Sequence, residues 1–491
     1  MKPWRGLEGE EKMRDKNNTT KKKIRSYPII VLSVFYGLLF GSMLAYICYY
    51  SYTNRQTLMN NSFNTRQAIL LAQNSRGKIL SRDGEVLAYT TVDEEGNETR
   101  VYPYDKEFAH VVGYSTNGKA GIEALANYYL INTNIDLSEK VKLDASGTKY
   151  PGDNVISTLD VNLQEVAYNA LSARKGAIIV SNPKTGEILA MVSKPDFDPN
   201  TIAKEWQSLL ADTSTDAKLL NRATQGQYPP GSTFKIVKSL AYLKDHPNDY
   251  SNYKYNCTGS FSVGADKISC YHGQVHGSLN LFTSFAESCN SSFANIGLGV
   301  SSSSYTETLK DLLFGQDLPL DVLYSKSNAN YSENISTSDL MQLAIGQGTT
   351  SVTPIHMNMI TCAVANDGVL MKPCFYTEVK SEDGKVVNSV SFEKYKRLMS
   401  TTEASVLQEM MQQVVLTGTA SKLKGLSYTA AGKTGSAEFN SQSDSHAWFT
   451  GFAPADDPEI CVTIIVENAG SGGSYAVPIA KRLFDAYFGV E

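Results

Sequence analysis

Charge of a single sign is what this sequence most lacks. Its 45 Lys and Arg stand against 50 Asp and Glu, for a net charge of -5, and no like-charge block stands out beyond Lys21-Lys22-Lys23. That excludes the broad basic footprint of a nucleic-acid binder. Charged residues are also few, 19% against 42% hydrophobic, which excludes a disordered chain and leaves apolar content for more than one packed domain. From Ile29 to Tyr50 there is no charge at all. Such a stretch is long enough to cross a hydrocarbon core of about 30 Å as one helix. It lacks the small residues that a signal peptidase needs, since Tyr46-Ile47-Cys48-Tyr49-Tyr50 is bulky, so the sequence predicts an anchor that stays attached. The cluster Lys21, Lys22, Lys23, Arg25 precedes the span and no comparable cluster follows it. The positive-inside rule then puts residues 1–28 in the cytoplasm, residues 29–50 in the membrane, and the rest outside.

Cysteine is sparse, seven residues in all, and Cys48 lies in the span. Cys257 and Cys270 bracket a segment with Gly259 and Gly264 that can close as a disulfide-stapled hairpin outside the cell. A zinc site from these two with His272 and His276 is the alternative, but the spacing matches none of the common zinc patterns, and neither metal nor cofactor is expected.

What is present falls into two regions. Residues 51–150 carry short alternating runs, with Asp83-Gly84 as a hairpin turn inside Lys78–Ala88, and read as a small, mostly β pedestal without visible repeats. Within it, His110–Tyr114 reads as a strand end and Gly121–Leu130 as a helix. From about Pro151 the texture changes. A helix over Val161–Ala173 is followed by apolar strands 177–180 and 188–192, which read as a central hairpin around Asn182-Pro183-Lys184-Thr185-Gly186. Strands at 447–452 and 460–466 and a closing helix over 476–488 complete residues 151–491. Strands flanking a helix-rich middle give the α+β class.

The chemistry rests on three motifs. Ser-x-x-Lys occurs at least six times, so context must select one. Ser232-Thr233-Phe234-Lys235 follows Tyr228-Pro229-Pro230-Gly231 and opens a periodic helical run, which puts Ser232 at a helix N-terminus with Lys235 on the same face. The positive helix end favours a developing alkoxide, so Ser232 reads as an activated nucleophile and Lys235 as its base. Ser288-Cys289-Asn290 lies on a helix-like run from Phe282 to Ile296 and offers a proton-relaying hydroxyl and a carboxamide. Lys433-Thr434-Gly435, followed by Ser436, sits on a small-residue strand, where Lys433 and Thr434 can grip a carboxylate. Lys184-Thr185-Gly186 has the same letters but follows Asn182-Pro183 in a tight hairpin and reads as a turn. Glu287 is expected to point away from Ser288, and Trp448 and His446 read as strand packing.

The ordered triple matches the motif set of penicillin-recognising serine enzymes. With Ala344–Gly348, Thr353-Pro354 and Ala447–Pro454, the sequence resembles the class B penicillin-binding proteins over most of the chain beyond the span. Arg76–Ile79 and Arg82–Gly84 resemble that family's pedestal, although Ser81 stands where the pattern usually has Asp. The resemblance implies a transpeptidase fold acting on peptidoglycan stem peptides and acylated by β-lactams. In it Ser232 attacks the D-Ala-D-Ala carbonyl, Lys235 takes its proton, Ser288 passes a proton to the leaving D-Ala, and Asn290 holds the substrate amide. Backbone N–H groups of Ser232 and Ser436 would form the oxyanion hole, and Lys433, Thr434 and Ser436 would bind the terminal carboxylate. It also implies a membrane glycan polymerase as partner. A D,D-carboxypeptidase or β-lactamase would share the motifs, but no dedicated deacylating glutamate is evident; a non-catalytic scaffold would be expected to have lost a motif residue, and none is lost.

Overall fold

The computed structural model describes residues 27–54, 58, 66–438 and 444–490. The cluster Lys21–Arg25 and the cytoplasmic tail assigned to it lie outside these residues. The chain divides into two units, residues 1–64 and 65–491.

In the first unit, α1 (Tyr27–Thr53) is a 27-residue helix, about 40 Å long at 1.5 Å per residue. None of its residues is buried, although nearly all are apolar. A core helix of a soluble protein would hide such a surface; this one is suited to hydrocarbon.

The second unit holds two principal sheets. The first contains β1 (Ile79–Leu80), β2 (Val86–Val92), β3 (Glu98–Val101), β4 (Asn154–Ser157), β11 (Tyr376–Lys380) and β12 (Val386–Ser389), in the order β12-β11-β4-β1-β2-β3. The β1–β2 hairpin turns at Asp83-Gly84 as predicted. At its mouth Ser81 is fully buried, and its Oγ accepts from the backbone of Asp83 (3.2 Å) and Glu85 (3.0 Å), a short side chain doing the work expected of Asp. His110–Tyr114 forms turns rather than a strand end: its carbonyls cap α2 (Gly121–Leu125), which α3 (Asn127–Ile131) follows.

The second sheet is antiparallel throughout, in the order β13-β14-β15-β5-β6. Its strands are β5 (Gly176–Ser181), β6 (Ile188–Lys194), β13 (Ala431–Ala437), β14 (His446–Ala453) and β15 (Ile460–Val466). The β5–β6 hairpin therefore fills one side of the sheet, and β15 holds the centre that the sequence had suggested for the hairpin. Every residue of the five strands except Ser436 is buried, so both faces are covered. The covering helices are α4 (Val161–Leu171), α8 (Pro354–Ala365), all of whose residues are buried, and α9 (Gly472–Phe488). Asp160 caps α4, and Gln164 bonds both ways to the Met191 backbone, which docks this helix on β6. Lys184-Thr185-Gly186 is the β5–β6 turn, confirming it as a decoy.

Candidate active site

The sequence Pro229-Pro230-Gly231 carries the chain into a single 3₁₀ turn, Gly231–Phe234, continued by α5 (Lys235–Asp245). Two glycines make this entry possible. Gly231 has a φ of +52°, and a Cβ there would lie 2.9 Å from the Ser436 carbonyl oxygen. Gly346 has a φ of +73°, and its Cβ would lie 2.1 Å from the Gly231 oxygen; its own carbonyl accepts from Gly231 N at 2.9 Å. Ser232 is thereby pressed against β13 and held from behind. Trp448 Nε1 donates to the Pro229 carbonyl (3.1 Å), and Tyr228 donates to Glu467, which also receives Arg222, so Trp448 positions the turn from the sheet side. His446 packs edge-on against Tyr228, a packing role as expected.

The second motif departs from the continuous helix that the sequence suggested. α6 (Leu281–Ala286) ends before it and α7 (Asn290–Gly299) begins with it. Between them Ser288 takes a left-handed backbone, φ 56°, strained for any residue with a Cβ. That turn aims its hydroxyl and the Asn290 carboxamide at one point. Fully buried Lys235 donates from Nζ to the Ser288 carbonyl (2.6 Å), to Asn290 Oδ1 (2.9 Å) and to Ser288 Oγ (3.3 Å). Among the described residues no hydrogen bond joins it to Ser232. Burial pulls the Lys235 amine down from 10.5 to about 7.

From the other side, Lys433 Nζ donates to Ser288 Oγ at 2.9 Å. Ser288 thus bridges two buried amines. Burial, and then the neighbouring Lys235, hold Lys433 well below its ordinary range. The Lys433 side chain lies inside the protein behind Ser288, while Thr434, Gly435 and Ser436 form the wall of the cleft. Thr434 Oγ1 pairs with Thr419 Oγ1 at 2.5 Å, a partner that the sequence reading missed because Thr419 belongs to no motif. β13 is the outer strand of its sheet, so one backbone edge is left for an extended peptide.

The cleft between these elements measures about 690 Å³ and includes Ser232, Ser288 and Asn290 in its wall. Glu287 also lines it. The opposite wall comes from a β insertion after α5: β7 (Lys254–Cys257), β8 (Ser260–Val263), β9 (Asp266–Ser269) and β10 (Gly277–Asn280). β8 and β9 form the hairpin predicted around Gly264, but Cys257 and Cys270 are unbridged, with sulfurs 3.7 Å apart. Cys270 and His276 stand beside Cys257, as does Cys289, which the sequence reading had not grouped with them; His272 is not among them.

The sequence model of the penicillin binding protein transpeptidase domain matches residues 176–485, and that of the penicillin binding protein A dimerisation domain matches residues 76–155. A peptidoglycan D,D-transpeptidase of Mycolicibacterium smegmatis is 29% identical over 454 residues, spanning 86% of this chain and 91% of its own. Among solved structures, the D,D-transpeptidase domain of a peptidoglycan glycosyltransferase from Eggerthella lenta superposes with a TM-score of 0.77 at 29% identity, covering 85% of this chain and 99% of that one. The imipenem acyl-enzyme of penicillin-binding protein A from M. tuberculosis does so with a TM-score of 0.76 at 26% identity, over 85% and 99% of the two chains.

Proposed function

Since the chain belongs to the penicillin-binding protein transpeptidase family, we infer from its own geometry how it works as a class B peptidoglycan D,D-transpeptidase, a serine acyltransferase that β-lactams acylate. We propose the following roles. A stem peptide lies along the free edge of β13, its terminal carboxylate against Thr434, Ser436 and Thr419. Asn290 receives the substrate amide. Ser232 Oγ attacks the carbonyl of the penultimate D-Ala, and its proton passes to neutral Lys235. The oxyanion meets the backbone N–H groups of Ser232 and Ser436; each such donor is worth about 3 kcal/mol in acyl transfer. As the C–N bond breaks, Ser288 gives its proton to the departing D-Ala amine and is reprotonated through the amines on either side of it. An amine of a neighbouring stem peptide then attacks the acyl-enzyme, closing the cross-link and freeing Ser232.

The observation that carries this reading is the single hydroxyl of Ser288 held between Lys235 and Lys433, 3.3 and 2.9 Å from their amines. Two cations cannot share one buried hydroxyl cheaply, so the arrangement favours a neutral amine at neutral pH. That is the form a base needs.

We further propose that residues 51–150 act as the pedestal and 151–491 as the transpeptidase region, facing outward behind the α1 anchor. A membrane glycosyltransferase that polymerises the glycan is the partner proposed for anchor and pedestal; cross-linking from α1 in native membranes should capture it, and products lacking any such enzyme would sink that part. One experiment tests nucleophile, chemistry and sidedness together. Intact cells are treated with a membrane-impermeant penicillin and the chain is weighed by intact-mass spectrometry. The expected result is one long-lived adduct on the wild type and none on Ser232→Ala. Rapid drug hydrolysis would favour a β-lactamase, and no adduct on the wild type would favour a scaffold.

A further inference from the structure

The two oxyanion donors proposed above stand on separate segments, Ser232 N on the turn that opens α5 and Ser436 N on β13. Their separation depends on what holds those segments together, and one short stretch touches both. The helix Thr337–Ala344 ends in a Schellman motif, in which Gly346 N donates to the Leu343 carbonyl (3.0 Å) and Gln347 N to the Gln342 carbonyl (2.9 Å). The left-handed Gly346 at its end accepts from the N–H of Gly231, the residue before the nucleophile. The next residue reaches the strand. The Gln347 carboxamide lies across the peptide groups of Glu438, its nitrogen 2.9 Å from the Glu438 carbonyl oxygen and its oxygen 3.2 Å from the Glu438 nitrogen.

That pair of bonds is what one antiparallel strand offers another. Residues two apart on a strand turn their peptide groups to the same edge, so Glu438 shares an edge with Ser436. Gly231 marks which edge it is, since a Cβ there would lie 2.9 Å from the Ser436 carbonyl oxygen. The last pair that β13 makes with β14 joins Ala437 to His446, so Glu438 lies just beyond the sheet. Gln347 therefore acts as a one-residue partner strand where the neighbouring strand stops giving support. Its place in the helix ending is also unusual. The residue after the left-handed position of a Schellman motif is frequently apolar and packs back on the helix; here it is a half-buried carboxamide in the wall of the cleft.

Resting on the transpeptidase reading above, we propose that Gln347 is a positioning residue for the oxyanion hole. Through its two bonds to Glu438 it fixes Ser436 N on β13 against Ser232 N, which Gly346 fixes through Gly231. The clamp works through the strand and leaves the grip on the substrate carboxylate to Thr434, Ser436 and Thr419. Without it the step in which charge develops on the carbonyl oxygen loses more than binding does.

The test is stopped-flow acylation of the full-length chain in detergent by a penicillin, with the binding constant and the acylation rate constant separated. It is joined to infrared spectra of the acyl-enzyme made with ¹³C at the reacting carbonyl. Gln347→Ala should lower the acylation rate constant at least ~10-fold while the binding constant stays within ~2-fold of wild type. Its acyl carbonyl band should move to higher frequency, the sign of weaker hydrogen bonding to that oxygen. Gln347→Glu, which when ionised can still accept from the Glu438 N–H but cannot donate to its carbonyl, should fall between. Rates are taken per active site from the final amount of bound drug, so that a poorly folding variant does not pass for a slow one. A Gln347→Ala chain with the wild-type rate constant and an unmoved band would overturn the proposal, as would a loss confined to binding or to the amount of competent protein. A wild-type chain acylated no better than Ser232→Ala would instead overturn the transpeptidase reading, and the clamp with it.

Discussion

Lys235 and Lys433 meet at Ser288 with no carboxylate paired to either among the described residues, and at the scale of single residues this is what sets the chemistry. Burial brings Lys235 to about 7, with the neighbouring Cys289 and Cys270 pulling the other way. A base must be neutral to accept a proton, so the fraction of competent enzyme grows as pH rises. The second-order rate of acylation by a penicillin should therefore climb about tenfold per pH unit below pH ~7 and level off above it. Stopped-flow acylation between pH 5 and 9 would show it, and a profile flat across that range would remove Lys235 as the base. The residues in this arrangement were legible in the sequence because each belongs to a short motif with fixed spacing. The direction of their bonds was not. Helical spacing suggested that Lys235 would reach Ser232, but the left-handed turn at Ser288, which no periodicity announces, gives Lys235 better acceptors. Thr419 went unread for a related reason, since only the folded chain brings it to the cleft.

Among the elements, the pedestal is pinned by one buried ion triad. Fully buried Glu123, on α2, accepts from Arg76 Nε (2.5 Å) and Arg100 Nε (2.8 Å). Burial alone would raise its carboxyl; Arg100 and Arg76 outweigh that and hold it below the usual range. Arg76 also reaches the Glu123 carbonyl and Asn127 Oδ1, at 2.7 Å each, so one guanidinium joins the strand region to both α2 and α3. Removing one partner leaves buried charge uncompensated. Glu123→Gln should destabilise the fold by about 3–5 kcal/mol in chemical denaturation of the full chain; a loss below ~1 kcal/mol would mean that the triad is solvated or replaceable. Arg76 was visible in the sequence as part of a pattern, but its partners lie beyond the reach of local spacing. Secondary structure followed the same rule. The β5–β6 hairpin and the closing helix were legible from periodicity and turn residues, whereas the place of that hairpin in its sheet depends on strands more than two hundred residues away.

Seen as a whole molecule, the region after the anchor cannot be cut where its sequence texture changes. β1, β2 and β3 share one sheet with β4, β11 and β12, and β1 is bonded to β4 in parallel. Residues 151–491 alone would expose the edge of β4 and the apolar side chains that pack over it, including Val155. That fragment should aggregate under conditions in which residues 65–491 elute as a single species in size-exclusion chromatography; a monomeric fragment with cooperative unfolding would contradict the shared sheet. The pairing also imposes a timetable. In a chain threaded outward behind its anchor, as proposed above, β4 emerges about 220 residues before its partner β11, where Tyr376 pairs with Ser157 of β4. At the ordinary pace of synthesis that is a delay on the order of tens of seconds. Throughout it a half-built sheet with an open edge stands at the membrane surface, and that interval is when an extracytoplasmic chaperone would have the most to protect.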